Sequence, residues 1–338
     1  MIMFDYAEFR TIAYKYKYET VFETDSERVR YCDLLARVNA VYNALLRLNL
    51  SGGTVMLFAR TGILPVCLAF ACNRAGFDCV IADSRLPLYS VESAVKKHSP
   101  LICAGKGKEL KRLSSRLSEC GCKSVLVIDE SPLPERFPTE YRLSSLIDEN
   151  DYFTVGADSE KKGETVFAFD DDTPLPQTDF ISDYGKRDAV ILDVPFYKRA
   201  GAHVLRELIF SCHRIYLTDD FSSKILKKKK VKHLITAGSE NKDFKGETAF
   251  VNCASHSVVG GGVFDKTEVG DILSKTSPLD ISVDTDGEKI QIFVTVGDDA
   301  DMDALQFYPP VQALRSVCKE VLYPYNAPKT FTFRQKTV

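Results

Sequence analysis

No run of apolar residues in this 338-residue sequence approaches the ~20 that a membrane-crossing helix needs, so helical spans are excluded. Positive charge is not in excess either. The net charge is -3 and the pI about 6.0, which argues against a general nucleic-acid binder. Met1 to Arg10 lacks a basic stretch followed by an apolar core, so no secretory signal is expected and the cytoplasm is the default location. The ten cysteines show no metal spacing: Cys120-Gly121-Cys122 is the tightest pair, and no second pair follows at zinc-ligand distance. A disulfide framework is not expected in so long a chain without a signal. Cys67, Cys72, Cys79, Cys103 and Cys253 sit in apolar runs and read as small core residues. Tryptophan is absent, which decides nothing.

What is present is an ordinary globular composition, 45% apolar and 27% charged, long enough for two domains or one large domain with an appendage. Between Asp33 and Leu48 the apolar residues Leu34, Leu35, Val38, Val41, Tyr42, Leu45 and Leu46 follow a helical repeat. Ser51-Gly52-Gly53 is expected to end that helix. Thr54 to Ala59 reads as a strand. Thr61 is then expected to cap an all-apolar, buried helix that ends at Gly76, and Cys79 to Ala82 reads as the next strand. Further helices are expected at Ser90–His98 and Lys106–Cys120, with strands at Leu101–Ala104 and Ser124–Ile128. Alternation in Tyr14-Lys15-Tyr16-Lys17-Tyr18 suggests an exposed strand with an aromatic face, and Ser131 to Lys162 reads as poorly ordered. From Asp188 the rhythm resumes: strand 189–194, helix 200–212, strand 213–217, helix 222–230, strand 231–236. Asp286-Gly287 between two apolar runs signals a hairpin, and a helix follows at Val311–Leu322. Strands separated by helices of this length imply parallel sheets covered on both faces.

The words Tyr31-Cys32-Asp33-Leu34-Leu35, Ala75-Gly76-Phe77 and Arg85-Leu86-Pro87, in this order and spacing, resemble the opening of the adenylate-forming superfamily. That superfamily comprises acyl- and aryl-CoA synthetases, peptide-synthetase adenylation domains and luciferases. The likeness continues at Val194-Pro195-Phe196-Tyr197-Lys198-Arg199-Ala200-Gly201 and Val231-Lys232-His233-Leu234. It continues again at Gly261-Gly262-Val263 with Glu268-Val269, and at Tyr325-Asn326-Ala327-Pro328. It implies an α/β fold with a large N-terminal domain of helix-covered parallel sheets, residues 1–258, in subregions of about 1–130 and 163–258. A small α+β lid-like domain, 259–338, would follow, hinged at Gly260, Gly261 and Gly262.

Adenylation builds negative charge on a transferring phosphoryl, so it needs backbone amides, cations and Mg²⁺. In the family a glycine-rich Ser/Thr loop ending in Pro-Lys cradles the phosphates. Its place here is Phe169-Asp170-Asp171-Asp172-Thr173-Pro174-Leu175-Pro176, where the carboxylates repel a triphosphate and no glycine lets the backbone approach. Asp170, Asp171 and Asp172 are metal or phosphate candidates only by way of Mg²⁺; the blander reading is an exposed acidic turn. The family's Tyr-Gly-x-Thr-Glu segment is missing from Ala237 to His256, and Lys336 does not match the register of its C-terminal lysine before the sequence reaches Val338. His256, between Ser255 and Ser257, makes no nucleophile–base dyad, because neighbours on a strand face opposite ways.

Tyr197, Lys198 and Gly201 stand beside the family's acyl pocket, and Lys198 takes the place of a histidine. It suits a carboxylate or a phosphorylated carrier; the blander reading is a solvated lysine at a strand end. The resemblance thus implies an acyl-CoA-synthetase-like protein that has lost ATP-dependent acid activation and binds an acyl group, a thiol or a protein. The alternative is an active, divergent AMP-forming acid–thiol ligase acylating CoA or a carrier protein, with ATP and Mg²⁺ as its cofactors. An acyl-carrier protein or a full-length ligase are the partners implied.

Overall fold

The computed structural model describes residues 3–50, 52–60, 62–84, 88–132, 137–153, 162–168, 175–185, 188–194, 196–217, 231–236, 246–251, 256–259, 262–266, 269–270, 273–274, 280–285, 290–296, 309–321 and 331–335. The chain starts with helix α1, Tyr6–Lys15, because the Asp5 carboxylate accepts the backbone N–H groups of Ala7 and Glu8. This corrects the expectation of an aromatic strand at Tyr14–Tyr18. The helix runs through Lys15 and the remainder is turn, with Lys15 and Lys17 each lying over the ring of the next tyrosine. Strands β1 (Thr20–Glu23) and β2 (Arg28–Arg30) form a hairpin that leads into helix α2, Tyr31–Arg47. Asn49, at φ 51°, turns the chain out of α2 before the glycines do, so asparagine takes the left-handed position expected of Gly52-Gly53.

Strand β3 (Gly53–Phe58), helix α3 (Ile63–Ala75) and strand β4 (Phe77–Ala82) follow as expected. Thr61 lies outside the described residues, and Gly62 is the residue before α3. The chain continues with α4 (Leu88–His98), β5 (Ile102–Gly105), α5 (Gly107–Glu119) and β6 (Ser124–Val127). The stretch expected to lack order instead contributes β7 (Thr139–Arg142), the short α6 (Leu143–Leu146) and a 3-10 turn at Glu149–Tyr152. An ion pair explains this order. Arg47 at the end of α2 grips the buried Asp151 and holds its carboxyl below the usual range. Strand β8 (Thr165–Phe167) completes a six-stranded, wholly parallel sheet in the order β7-β6-β5-β3-β4-β8.

A second six-stranded sheet has the order β12-β11-β9-β10-β1-β2. It comprises β9 (Ala189–Asp193), β10 (Arg214–Tyr216), β11 (His233–Thr236) and β12 (Glu247–Phe250), parallel to one another and to β1, with β2 antiparallel at the edge. Helix α7 (Arg199–Phe210) connects β9 to β10. The helix expected at Ser222–Lys230 lies outside the described residues.

Helix α3 packs against β4 of the first sheet, α2 and α7 against β1 and β10 of the second, and α1 against α2 and α3. Eleven of the 13 residues of α3 are buried, in keeping with its lack of a polar face. Its last turn nevertheless carries a buried cation. Arg74 is 3% exposed, bonds the Asn39 side-chain oxygen at 2.9 Å, and lies over the rings of Tyr6 and Tyr42 at 4.5 and 3.9 Å. Tyr6 donates its hydroxyl to Asn39 and its backbone N–H to Asn73, both at 2.9 Å. Asn73 in turn donates its side-chain amide to the Gly163 carbonyl at 2.8 Å, and its own carbonyl accepts the Gly163 N–H at 3.0 Å. The tyrosine hydroxyl of Tyr31 on α2 reaches the Ile209 carbonyl of α7, and Arg206 of α7 pairs with Glu8 of α1.

Two compact units divide the chain: Met1–Ser84 with Ala94–Cys253, and Arg85–Ser93 with Ala254–Val338. In the second, β13 (His256–Val259) pairs with β14 (Gly262–Asp265). The expected hairpin is β15 (Asp280–Thr285) against β16 (Ile290–Val296), and β17 (Thr332–Gln335) joins β16 in parallel. Helix α8 (Pro309–Val321) closes the core through Val311, Leu314 and Cys318, packed with Ile281, Ile292 and Phe331.

A Cβ at Gly163 would stand 1.8 Å from the Phe77 carbonyl oxygen, with backbone rather than a movable side chain in its way. Gly163→Ala is therefore expected to cost about 3 kcal/mol, from overpacking against a fixed backbone. Gly121→Ala, in open space at φ 83°, should cost only about 1 kcal/mol of conformational strain. Urea unfolding followed by circular dichroism measures both.

Candidate functional site

In an open parallel sheet, the loops at the carboxyl ends of the strands diverge where the strand order reverses, and ligands settle in that crevice. In the second sheet β9 passes through α7 toward β10 on one side, while β11 goes on to β12 on the other, so the reversal lies between β9 and β11. The turn leaving β9 contains Tyr197 and Lys198. Phe196, Tyr197 and Lys198 are 3%, 5% and 6% exposed. The solvated reading of Lys198 is thereby excluded.

Lys198 is the last extended residue before α7, and its carbonyl accepts the Ala202 N–H at 2.9 Å, which starts the helix. Gly201 is buried in the first turn of α7. The turn is pinned from the other sheet: the Phe196 N–H donates to the carbonyl of Arg60, just beyond β3, at 3.2 Å. The ring of Phe196 lies 5.6 Å from Phe4, which meets Phe70 of α3 edge-on at 5.2 Å. Burying an ammonium group is costly unless an anion or hydrogen-bond acceptors receive it. No ion pair engages Lys198 among the described residues. The turn thus presents a buried cation on the face where such sheets take ligands.

Asp170, Asp171 and Asp172 lie outside the described residues; the last described residue before them is Ala168, directly past the carboxyl end of β8. Gly260 and Gly261 also lie outside, and Gly262 opens β14 opposite Val259. Among the described residues no group of three His, Cys, Asp or Glu side chains is arranged to hold a metal ion, and no helix is long and apolar enough to cross a membrane. Sequence reasoning placed Tyr197 and Lys198 between a strand and the helix that carries Gly201 but missed the Phe196–Arg60 bond. A backbone-to-backbone contact between distant loops leaves no mark in side-chain pattern.

The structure is similar to the amide bond synthetase McbA from Marinactinospora thermotolerans, with a TM-score of 0.65 at 10% identity over 97% of this chain and 95% of that one. It is similar also to the luciferase-like enzyme of the nonluminescent mealworm Zophobas morio, with a TM-score of 0.54 at 15% identity over 69% of this chain. MatB from Rhodopseudomonas palustris gives 0.53 at 12% identity over 98% of this chain and 95% of that one. The chain has the fold of the adenylate-forming enzymes. It spans 59% of the length of the mealworm protein, and 50% of that of a coronafacic acid ligase from Pectobacterium brasiliense. No family model and no curated protein matches the sequence.

At the opposite, amino ends of the strands, this adenylate-forming fold carries a second titratable cluster. His233 lies 3.2 Å from Asp188 and 3.1 Å from Glu247, and Tyr184 stacks on it at 3.8 Å. His213 meets the edge of Tyr184. The Lys232 ammonium, at 2.7 Å, and then His233 hold the Asp188 carboxyl below its usual range. These groups join the starts of β9, β10, β11 and β12, and so belong to the stability of the sheet rather than to its ligand face.

Burial holds the imidazoles of His98, His203 and His213 below the ordinary histidine value. The unfolded chain therefore takes up these protons first as pH falls through about 6.5, and stability falls with it. His213→Gln is expected to flatten the loss of stability between about pH 7 and pH 5.5, read from urea midpoints at each pH. An unchanged slope assigns the loss to other groups.

Proposed function

We propose that the protein is a non-activating relative of the acyl-CoA synthetases, which binds an acyl group, a thiol or a partner protein at the β9–α7 turn without using ATP. The observation that carries this reading is the tract beyond β8. By resemblance the phosphate cradle belongs at Phe169 to Pro176, and these residues do not fit a triphosphate: Asp170, Asp171 and Asp172 repel it, and no glycine lets backbone amides approach. The loss of the Tyr-Gly-x-Thr-Glu segment points the same way.

Lys198 remains useful without a nucleotide. A buried ammonium at a sheet reversal attracts a carboxylate or the phosphate of a carrier's prosthetic arm, so an acyl-carrier protein or a full-length ligase is the partner this reading implies. The same buried lysine favours a second reading: an active, divergent ligase acylating CoA or a carrier, with Mg²⁺ bridging Asp170, Asp171 and Asp172 to ATP.

Pyrophosphate exchange with mixed carboxylic acids separates the two. The first reading predicts exchange at background and no change in melting temperature with Mg·ATP, because a ligand held by the native state would raise it. Exchange above background, abolished by Lys198→Ala, would establish the second.

A further inference from the structure

The strand order of the first sheet fixes which of its helices share a face. From β3 the chain crosses through α3 to β4, then returns through α4, past β3, to β5; α5 carries it on in the same direction to β6. Right-handed crossovers therefore place α4 and α5 together on one face and α3 on the other, where it meets α2. Helix α5 turns Leu110, Leu113 and Leu117 to the sheet. Its opposite side is a stripe of exposed residues, Lys108, Lys111, Ser115 and Ser118, at spacings of three and four.

The charge of this face is unlike that of the rest of the molecule. Between Leu88 and Lys123 eight Lys and Arg stand against three Glu, a net charge of +5 in a chain whose total is -3, which leaves -8 for the remainder. Six of the cations are exposed lysines: Lys96, Lys97, Lys106, Lys108, Lys111 and Lys123. Of the three carboxylates only Glu119 is exposed, and Arg116 holds it at 3.1 Å. Lys106 is drawn toward Asp129 and Glu109, at the edge of a largely apolar cleft beyond the carboxyl ends of β3 and β5, where the strand order reverses. Lys97, Lys108, Lys111 and Lys123 form no ion pair among the described residues. A helix face that serves only solubility intersperses both signs. Like charges three and four apart, as Lys108 with Lys111 and Arg112, cost the helix stability instead.

The composition of the face selects among polyanions. Guanidinium forks suit phosphates, and both arginines are engaged: Arg112 donates to the Ser84 carbonyl and Arg116 to Glu119. A single-stranded nucleic acid needs exposed rings for its bases, and a lipid surface needs apolar side chains to insert. Leu101 is the one large apolar side chain exposed on this stretch among the described residues. A long duplex or a membrane would also bring its charge against the acidic remainder of the chain. A short acidic segment would not. The 13 residues of α5 extend about 20 Å, the span of one partner helix of similar size.

We propose that the outer face of α5, with Lys97 and Lys123 where α4 and α5 return to the amino ends of β5 and β6, docks a protein partner through an acidic helix or segment. This surface is separate from the Lys198 turn and independent of the reading given to that turn.

Fluorescence anisotropy of the full chain with a labelled Glu/Ala peptide of about 20 residues, long enough for a helix, tests it, beside the Gln/Ala counterpart and a single-stranded RNA of equal charge. Phosphatidylserine vesicles are compared by sedimentation. The Glu peptide is expected to bind at least about tenfold more tightly than the Gln peptide, and to weaken at least about fivefold between about 0.05 and 0.3 M salt. Zero-length carbodiimide cross-linking should join its carboxylates to Lys108 and Lys111. Lys108→Glu combined with Lys111→Glu, at exposed positions and checked for folding by the melting curve, should weaken the peptide at least about tenfold. Lys15→Glu combined with Lys17→Glu, at the end of α1, should leave it unchanged. Absence of Glu-peptide binding, equal binding of the Gln peptide, or equal binding by the Lys108 and Lys111 variant overturns the inference. RNA or vesicles bound more tightly than the Glu peptide, and released by the same two substitutions, overturns the assignment to a protein and gives the face to that polyanion.

Discussion

A buried guanidinium fixes the packing of three helices, α1, α2 and α3. Arg74 cannot reach water at 3% exposure, so its charge must be met inside the helical layer. Asn39 meets it with an oxygen, and Tyr6 and Tyr42 with ring faces, which fixes α1 and α2 against α3 at once. The neighbouring Asn73 extends the lock to Gly163, from which the chain enters β8.

The two sheets have their carboxyl ends tied together. The bond from Phe196 to the Arg60 carbonyl links the turn after β9 with the turn after β3, and each turn borders the strand-order reversal of its own sheet. The two reversals differ in what they offer. One holds a buried lysine beside apolar side chains; the other is an open, largely apolar cleft with a solvated lysine at its rim.

Where local pattern decided structure, the sequence was readable. The helical repeat of α2, the apolar run of α3 and the Asp-Gly hairpin between β15 and β16 required only residues close together in the chain. The alternating tyrosines and lysines misled because the helix capped by Asp5, several residues earlier, runs on through Lys15 and ends in a turn over Tyr16 to Tyr18. The turn at Glu149–Tyr152 looked unstructured because Asp151 is held by Arg47, about a hundred positions away. Of the site, Tyr197 and Lys198 could be placed between a strand and the helix that carries Gly201, but the contacts of Phe196 with Phe4 and Arg60 that pin this turn could not. The cleft could not be read at all, because its walls come from turns and helices scattered between Thr24 and Leu217.

A crystal soaked with ATP and magnesium bears most directly on the claim that the triphosphate cradle is gone. The account predicts no nucleotide density beside Phe169 to Pro176, with the Lys198 turn unchanged. Ordered phosphates bridged by magnesium to Asp170, Asp171 and Asp172 would contradict it.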